Sequence, residues 1–151
     1  MNIRKAVLDD AQTIFGLVEI YAKKGEMLPR PISEIYSQIR DFFVCVNDDG
    51  VIIGAVALHV CWETLGEVRS LVVDPNFLSQ GVGTTLVNTS IEDGKKIGLK
   101  SVFALTYSED FFSKLGFKQV DKDTLPHKIW GECVKCLKFP NCDETAVLKE
   151  I

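Results

Sequence analysis

Long apolar runs are missing from this chain of 151 residues. No stretch approaches the roughly 20 residues that a membrane-crossing helix needs. Met1-Asn2-Ile3-Arg4-Lys5 leads directly into folded-looking sequence without a signal-peptide pattern, so a cytoplasmic protein is expected. Arginine is scarce, with residues only at 4, 30, 40 and 69, and the formal net charge of −4 argues against a nucleic-acid-binding surface. No internal repeat or low-complexity segment is present. The 5 cysteines are an odd number, which points to reduced thiols or metal ligation rather than a disulfide framework. At 46% hydrophobic, residues 1–151 read as a single domain able to bury about two-thirds of its unfolded surface.

The most informative stretch runs from Glu67 to Leu86. Val68, Val72 and Val73 favour a strand, and Asp74-Pro75 stops it, because proline has no N–H for a ladder. Val82, Leu86, Val87 and Ile91 then recur at helical spacing. Between the two elements, Gly81 and Gly83 let the backbone turn tightly and bring unpaired N–H groups of a helix start toward an anion. This is a design for binding phosphate. A Walker loop is excluded, since no Gly-Lys-Ser/Thr follows, and the dinucleotide fingerprint fails because Leu86 stands three positions after Gly83.

Around this centre, Ile3 to Val7 reads as a strand, and Asp9 or Asp10 as the cap of a helix through Ile14, Leu17, Val18 and Tyr21 that ends at Gly25. Ser33 is placed to cap a second helix through Ile35, Ile39 and Phe42. Phe43–Val46 and Val51–Val60 flank Asn47-Asp48-Asp49-Gly50, a hairpin signal. After the glycine-led helix come a strand over Ser101–Thr106, a short helix over Glu109–Lys114, a strand over Gly116–Val120 and a closing strand over Ala146–Ile151.

Leu-Val-Val-Asp-Pro followed by Gln80-Gly81-Val82-Gly83 resembles motif A of the GCN5-related N-acetyltransferases, and Phe111-Phe112-Ser113-Lys114-Leu115-Gly116-Phe117 is similar to that family's later motif. The order of elements matches across nearly the whole chain. The resemblance implies an α/β (α+β) fold with a mixed, mostly antiparallel central sheet flanked by helices. It also implies acetyl-CoA as co-substrate, held along Leu71, Val72, Val73 and the run Leu78, Ser79, Gln80, Gly81, Val82, Gly83 and Thr84, with Phe112 beside it. Two departures stand out: Leu78 occupies a position usually held by Arg or Gln, and Phe112 replaces a tyrosine that many members use as the acid. In its place Tyr107, at a strand end, is the candidate acid, against the alternative of an interfacial aromatic. Glu67 is the candidate base, against that of a strand-end carboxylate paired with Arg69; strict alternation puts it on one face with Arg69, Leu71 and Val73.

A narrower likeness, carried by Met27-Leu28-Pro29-Arg30, Glu67-Val68-Arg69-Ser70-Leu71, Leu105-Thr106-Tyr107 and Leu125-Pro126-x-Lys128, is to the short N-acetylglutamate synthases. It implies L-glutamate as acceptor, in arginine biosynthesis, with Arg30 and Arg69 and, behind them, Arg4 and Lys128 as carboxylate partners. Another amine, or a CoA-sensing module without catalysis, is the competing reading. The expected partner is thus a small molecule, with no nucleic acid and no membrane, and a homodimer is compatible with it.

The segment from Asp121 to Cys142 is unusually long for a connection in a compact domain. Its His127, Cys133, Cys136 and Cys142 could supply a tetrahedral zinc site. A second Cys-x-x-Cys is absent and acetyl transfer needs no metal, so free thiols are the reading preferred over zinc. His59, alone on an apolar strand, reads as a core residue, and Cys45 and Cys61 as apolar strand positions.

Overall fold

A single 7-stranded sheet organises the computed structural model, which describes residues 1–125 and 144–151. In chain order the elements are β1 (Asn2–Lys5), α1 (Ala11–Ala22), α2 (Ile32–Ser37), β2 (Phe42–Val46), β3 (Ile52–Val60), β4 (Leu65–Val73), α3 (Val82–Lys96), β5 (Ser101–Thr106), α4 (Glu109–Lys114), β6 (Lys118–Gln119) and β7 (Thr145–Glu150). The strand order is β1-β2-β3-β4-β5-β7-β6, and β4–β5 is its one parallel pair. The mixed, mostly antiparallel sheet expected from the sequence is therefore what forms.

Helices cover both faces. Ile14, Leu17 and Val18 of α1 and Ile35 of α2 pack on Phe42, Val44, Ala55, Ala57 and Val72. On the opposite face, Val82, Leu86, Val87 and Ile91 of α3 pack on Phe43, Val56, Leu58 and Val68, and Phe112 of α4 joins the same cluster. The close seat of α3 depends on a missing side chain, since a Cβ at Gly54 would lie 2.9 Å from Val82 Cγ1, 3.0 Å from Leu86 Cδ1 and 3.1 Å from the Val72 carbonyl.

Several local expectations are corrected. Ser33 lies inside α2, which starts after Pro31, and the helix stops at Ser37. A 3₁₀ turn over Ile39–Asp41 follows, and Phe42 opens β2 opposite Ala57. Ile35, Ile39 and Phe42 thus share helical spacing without sharing a helix. Asp10 does not cap α1 through its side chain. Its carboxylate instead accepts the Val7 N–H at 2.8 Å and two Arg4 N–H groups at 2.7 and 3.1 Å. The strand expected over Gly116–Val120 shrinks to Lys118–Gln119. His59 is half-buried rather than core, with Nδ1 2.6 Å from Asp41 Oδ2.

The Arg4–Asp10 pair carries a measurable consequence. The Arg4 guanidinium holds the Asp10 carboxyl below its ordinary value, helped by the Val7 N–H and opposed by burial. A depressed carboxylate contributes stability that is present above the unfolded value of 3.8 and is lost as pH falls through the folded value. Arg4 is 41% exposed, so solvent discounts the pair. Asp10→Asn should therefore lower stability by about 1 kcal/mol at neutral pH. Urea melts of parent and variant should converge as pH falls below 3.8 and through the folded value.

Candidate active site

The parallel pairing of β4 and β5 covers only Leu65–Glu67 against Ser101–Phe103. Beyond it β4 stays with β3 up to Val73 and β5 stays with β7 up to Thr106, so the two central strands part. A cavity of about 970 Å³ fills the gap.

A β-bulge shapes its wall. Arg69 pairs with Ala57 and Val72 with Ala55, so Ser70 and Leu71 together face the single residue Val56. Ser70 takes φ +54° to achieve this. An extra residue reverses the alternation of side chains past it. Val68 accordingly packs toward α3 while Val72 packs toward α1, although strict alternation would put both on one face. The expectation that Glu67 and Arg69 share a face with Leu71 and Val73 is corrected for the same reason: Leu71 and Val73 pack against the α3 cluster. The cavity therefore draws its walls from both faces of the sheet.

On the α3 face lies the glycine turn. Gly81 precedes α3 with φ +81° and Ser79 has φ +64°. The Thr85 N–H and hydroxyl both bond to the Gly81 carbonyl, at 3.0 and 2.8 Å, which closes the first turn. The N–H groups preceding Thr85 in that turn have no intrahelical acceptor, and the positive end of the 15-residue helix lies with them. A Cβ built on Gly81 meets nothing within 4 Å, so open space borders the turn; at Gly83 it would touch the Phe111 ring at 3.4 Å.

On the α2 face the polar groups are linked. Arg30 Nη1 donates to Glu34 Oε1 at 2.7 Å, and Gln38 Nε2 reaches the same oxygen at 3.5 Å. Gln38 Oε1 accepts from Arg69 Nη2 at 2.7 Å, and Arg69 Nη1 lies 3.4 Å from Glu67 Oε1. Glu67 and Arg69 are both buried, and Arg30, Glu67 and Arg69 all line the cavity.

Of the residues expected to hold the co-substrate, Leu71, Val73, Leu78, Ser79, Gly81, Val82, Gly83, Thr84 and Phe112 line the cavity. Gln80 is exposed beside it, and the Val72 side chain turns into the α1 core. Phe112 packs edge-on against Phe111 and Phe117, each ring centroid 5.1 Å away. Tyr107, just past β5, lines the cavity and is 40% exposed. Arg4 does not join this set. It sits on the edge strand β1 with its guanidinium committed to Asp10. Lys128, His127, Cys133, Cys136 and Cys142 lie outside the described residues. Cys45 is buried, and burial pushes its thiol up, which makes it a packing residue.

Sequence reasoning missed Tyr21, whose spacing looked like plain α1 core. Its hydroxyl donates to the Val73 carbonyl at 2.5 Å, and the residue lines the cavity. Burial, then the charges of Glu26 and Asp74, push its hydroxyl above the usual tyrosine range, so it stays a donor.

The chain is 38% identical over 149 residues to an uncharacterized N-acetyltransferase of Chlorobaculum tepidum, covering 99% of this chain and 96% of that protein. It is 31% identical to the amino-acid acetyltransferase of Mycobacterium tuberculosis, over 86% of this chain and 75% of that one. The fold superposes with a TM-score of 0.90 on N-acetylglutamate synthase from Neisseria gonorrhoeae, solved with coenzyme A and N-acetyl-glutamate, at 24% identity. That likeness covers 99% of this chain and 34% of the longer protein. Residues 8–117, which include the bulged strand, the glycine turn and α4, match the model of the acetyltransferase (GNAT) family, and the chain belongs to that family.

Proposed function

We propose that this acetyltransferase moves the acetyl group of acetyl-CoA directly to the α-amino group of L-glutamate, as the first step of arginine biosynthesis. The observation that carries the reading is the presence of two guanidinium groups, Arg30 and Arg69, in the wall of the cavity that also holds the glycine turn. A dicarboxylic amino acid needs such forked cations, and few other amines do. The names of the relatives, amino-acid acetyltransferase and N-acetylglutamate synthase, point the same way.

Bound acetyl-CoA supplies the acetyl group as a thioester. The open space at Gly81 and the N–H groups of Gly81 to Thr84 suit its pyrophosphate. N–H groups of the bulged strand, at Leu71 or Val72, would polarise the thioester carbonyl. Glu67 would take the proton of the ammonium substrate, directly or through water, and Tyr107 would return one to the leaving thiolate. Arg30 and Arg69 would hold the carboxylates. Glu26 and Glu144 also line the cavity and would suit a cationic amine, which keeps a polyamine acetyltransferase as the second reading.

Initial rates with glutamate, glutamine and spermidine separate the two. Glutamate should be preferred, and Arg30→Gln should raise its KM about tenfold or more, the worth of a charge-assisted hydrogen bond. The KM for acetyl-CoA should hardly move. Equal rates on all three acceptors in the parent would overturn the glutamate assignment and leave the family membership standing.

A further inference from the structure

The two cavity arginines are not independent. Arg30 precedes α2 and Arg69 lies on β4, yet Glu34 and Gln38 connect them through the 2.7, 3.5 and 2.7 Å contacts already described. Glu34 and Gln38 are four residues apart, so they project from neighbouring positions on one face of a helical turn. We propose that Glu34 and Gln38 are positioning residues that set the separation of the two guanidinium groups and so select an acceptor with two carboxylates. The proposal rests on the glutamate reading above.

An arginine side chain has many rotamers to lose, and tying it to a scaffold before the ligand arrives removes that loss from binding. Two guanidinium groups sharing a cavity repel, and Glu34 beside one and Glu67 beside the other offset the repulsion. The link between the halves is an amide, and its two ends are not equivalent. A guanidinium only donates, so the Gln38 oxygen must face Arg69, which leaves the NH₂ to face the Glu34 carboxylate. A carboxylate at position 38 would accept from Arg69 equally well. It would also face Glu34 with like charge and add one negative charge beside the two guanidinium groups, which disfavours a dicarboxylate.

Gln38→Leu and Gln38→Glu should each raise the KM for glutamate about tenfold, the worth of one hydrogen bond to a charged group. Neither should change kcat or the KM for acetyl-CoA by more than about twofold, since neither residue reaches the reacting atoms. The double variant Glu34→Gln/Gln38→Glu reverses the link, restores donor to acceptor and keeps the charge sum. It should bring the glutamate KM back to within about threefold of the parent, a recovery that a merely structural role would not show. If the parent prefers glutamate but Gln38→Leu leaves its KM within twofold, or the exchange recovers nothing, the positioning role is overturned and the glutamate reading survives. If the parent shows no preference for glutamate over glutamine and spermidine, the reading itself fails and the proposal falls with it.

Discussion

Replacing Glu67 by glutamine is expected to lower kcat by about 10² to 10⁴, the usual worth of a positioned general base, with little change in the KM for acetyl-CoA. The residue stands where β4 and β5 begin to part, paired with Phe103 on one side and opposite His59 on the other. It is buried and lines the cavity, next to the Arg69 guanidinium. Glutamine has the same shape and still offers an oxygen to Arg69, so the substitution removes proton acceptance while keeping much of the packing. An amino-acid acceptor is almost wholly an ammonium ion at neutral pH and cannot attack a carbonyl until it loses a proton. The deficit of the variant should therefore shrink as pH rises and free amine becomes abundant without a base. Steady-state rates of parent and Glu67→Gln from about pH 7 to about pH 10 read this directly. Matching rates and matching profiles would leave Glu67 as a strand carboxylate that serves only to accompany Arg69.

What the sequence conveyed well was periodicity on a large scale. The apolar run of β3 beside its turn signal, the stop at Asp74-Pro75 and the apolar stripe of α3 are strong local signals, so the element order and the glycine turn were legible. What it conveyed poorly was the single extra residue in β4. A bulge with positive φ is often announced by glycine, and here a serine, Ser70, adopts it, leaving no mark in the pattern. The error in face assignment for Leu71 and Val73 follows from that one residue. The α2 region failed for a different reason. Ile35, Ile39 and Phe42 are all inward-facing at compatible spacing, and spacing does not reveal that the chain changes from helix to 3₁₀ turn to strand between them. Glu34 of α2 and Gln38 just past its end look like solvated surface until the fold lays them beside Arg30 and Arg69. Arg4 also sits at a strand position that could face a cleft, but Asp10, six residues on, holds its guanidinium instead.

Gly81→Val is expected to weaken acetyl-CoA binding by about 100-fold or more, as the loss of two or more hydrogen bonds to a charged pyrophosphate would. Two causes act together. The residue has φ +81°, a left-handed conformation that is unfavourable by about 1–2 kcal/mol for an L side chain and more for a β-branched one. The turn that aims the first N–H groups of α3 must then either bear that strain or rearrange. The second cause is space. A Cβ at Gly81 meets no protein atom within 4 Å, so no packing clash is added to the strain, and Gly81 lines the cavity. Gly83→Ala is the contrast, because its Cβ would come into van der Waals contact with the Phe111 ring at 3.4 Å and probe the packing of α3 against α4 instead. Calorimetric titration with CoA and a thermal melt of each variant separate loss of affinity from loss of fold. Acetyl-pantetheine, which carries the thioester without the pyrophosphate, supplies the deciding control. Parent and Gly81→Val should use it at similar, poor rates, since the turn has nothing to hold in it. A folded Gly81→Val protein that binds CoA as tightly as the parent would remove the glycine turn from the binding site, and with it the placement of the thioester beside the bulge of β4.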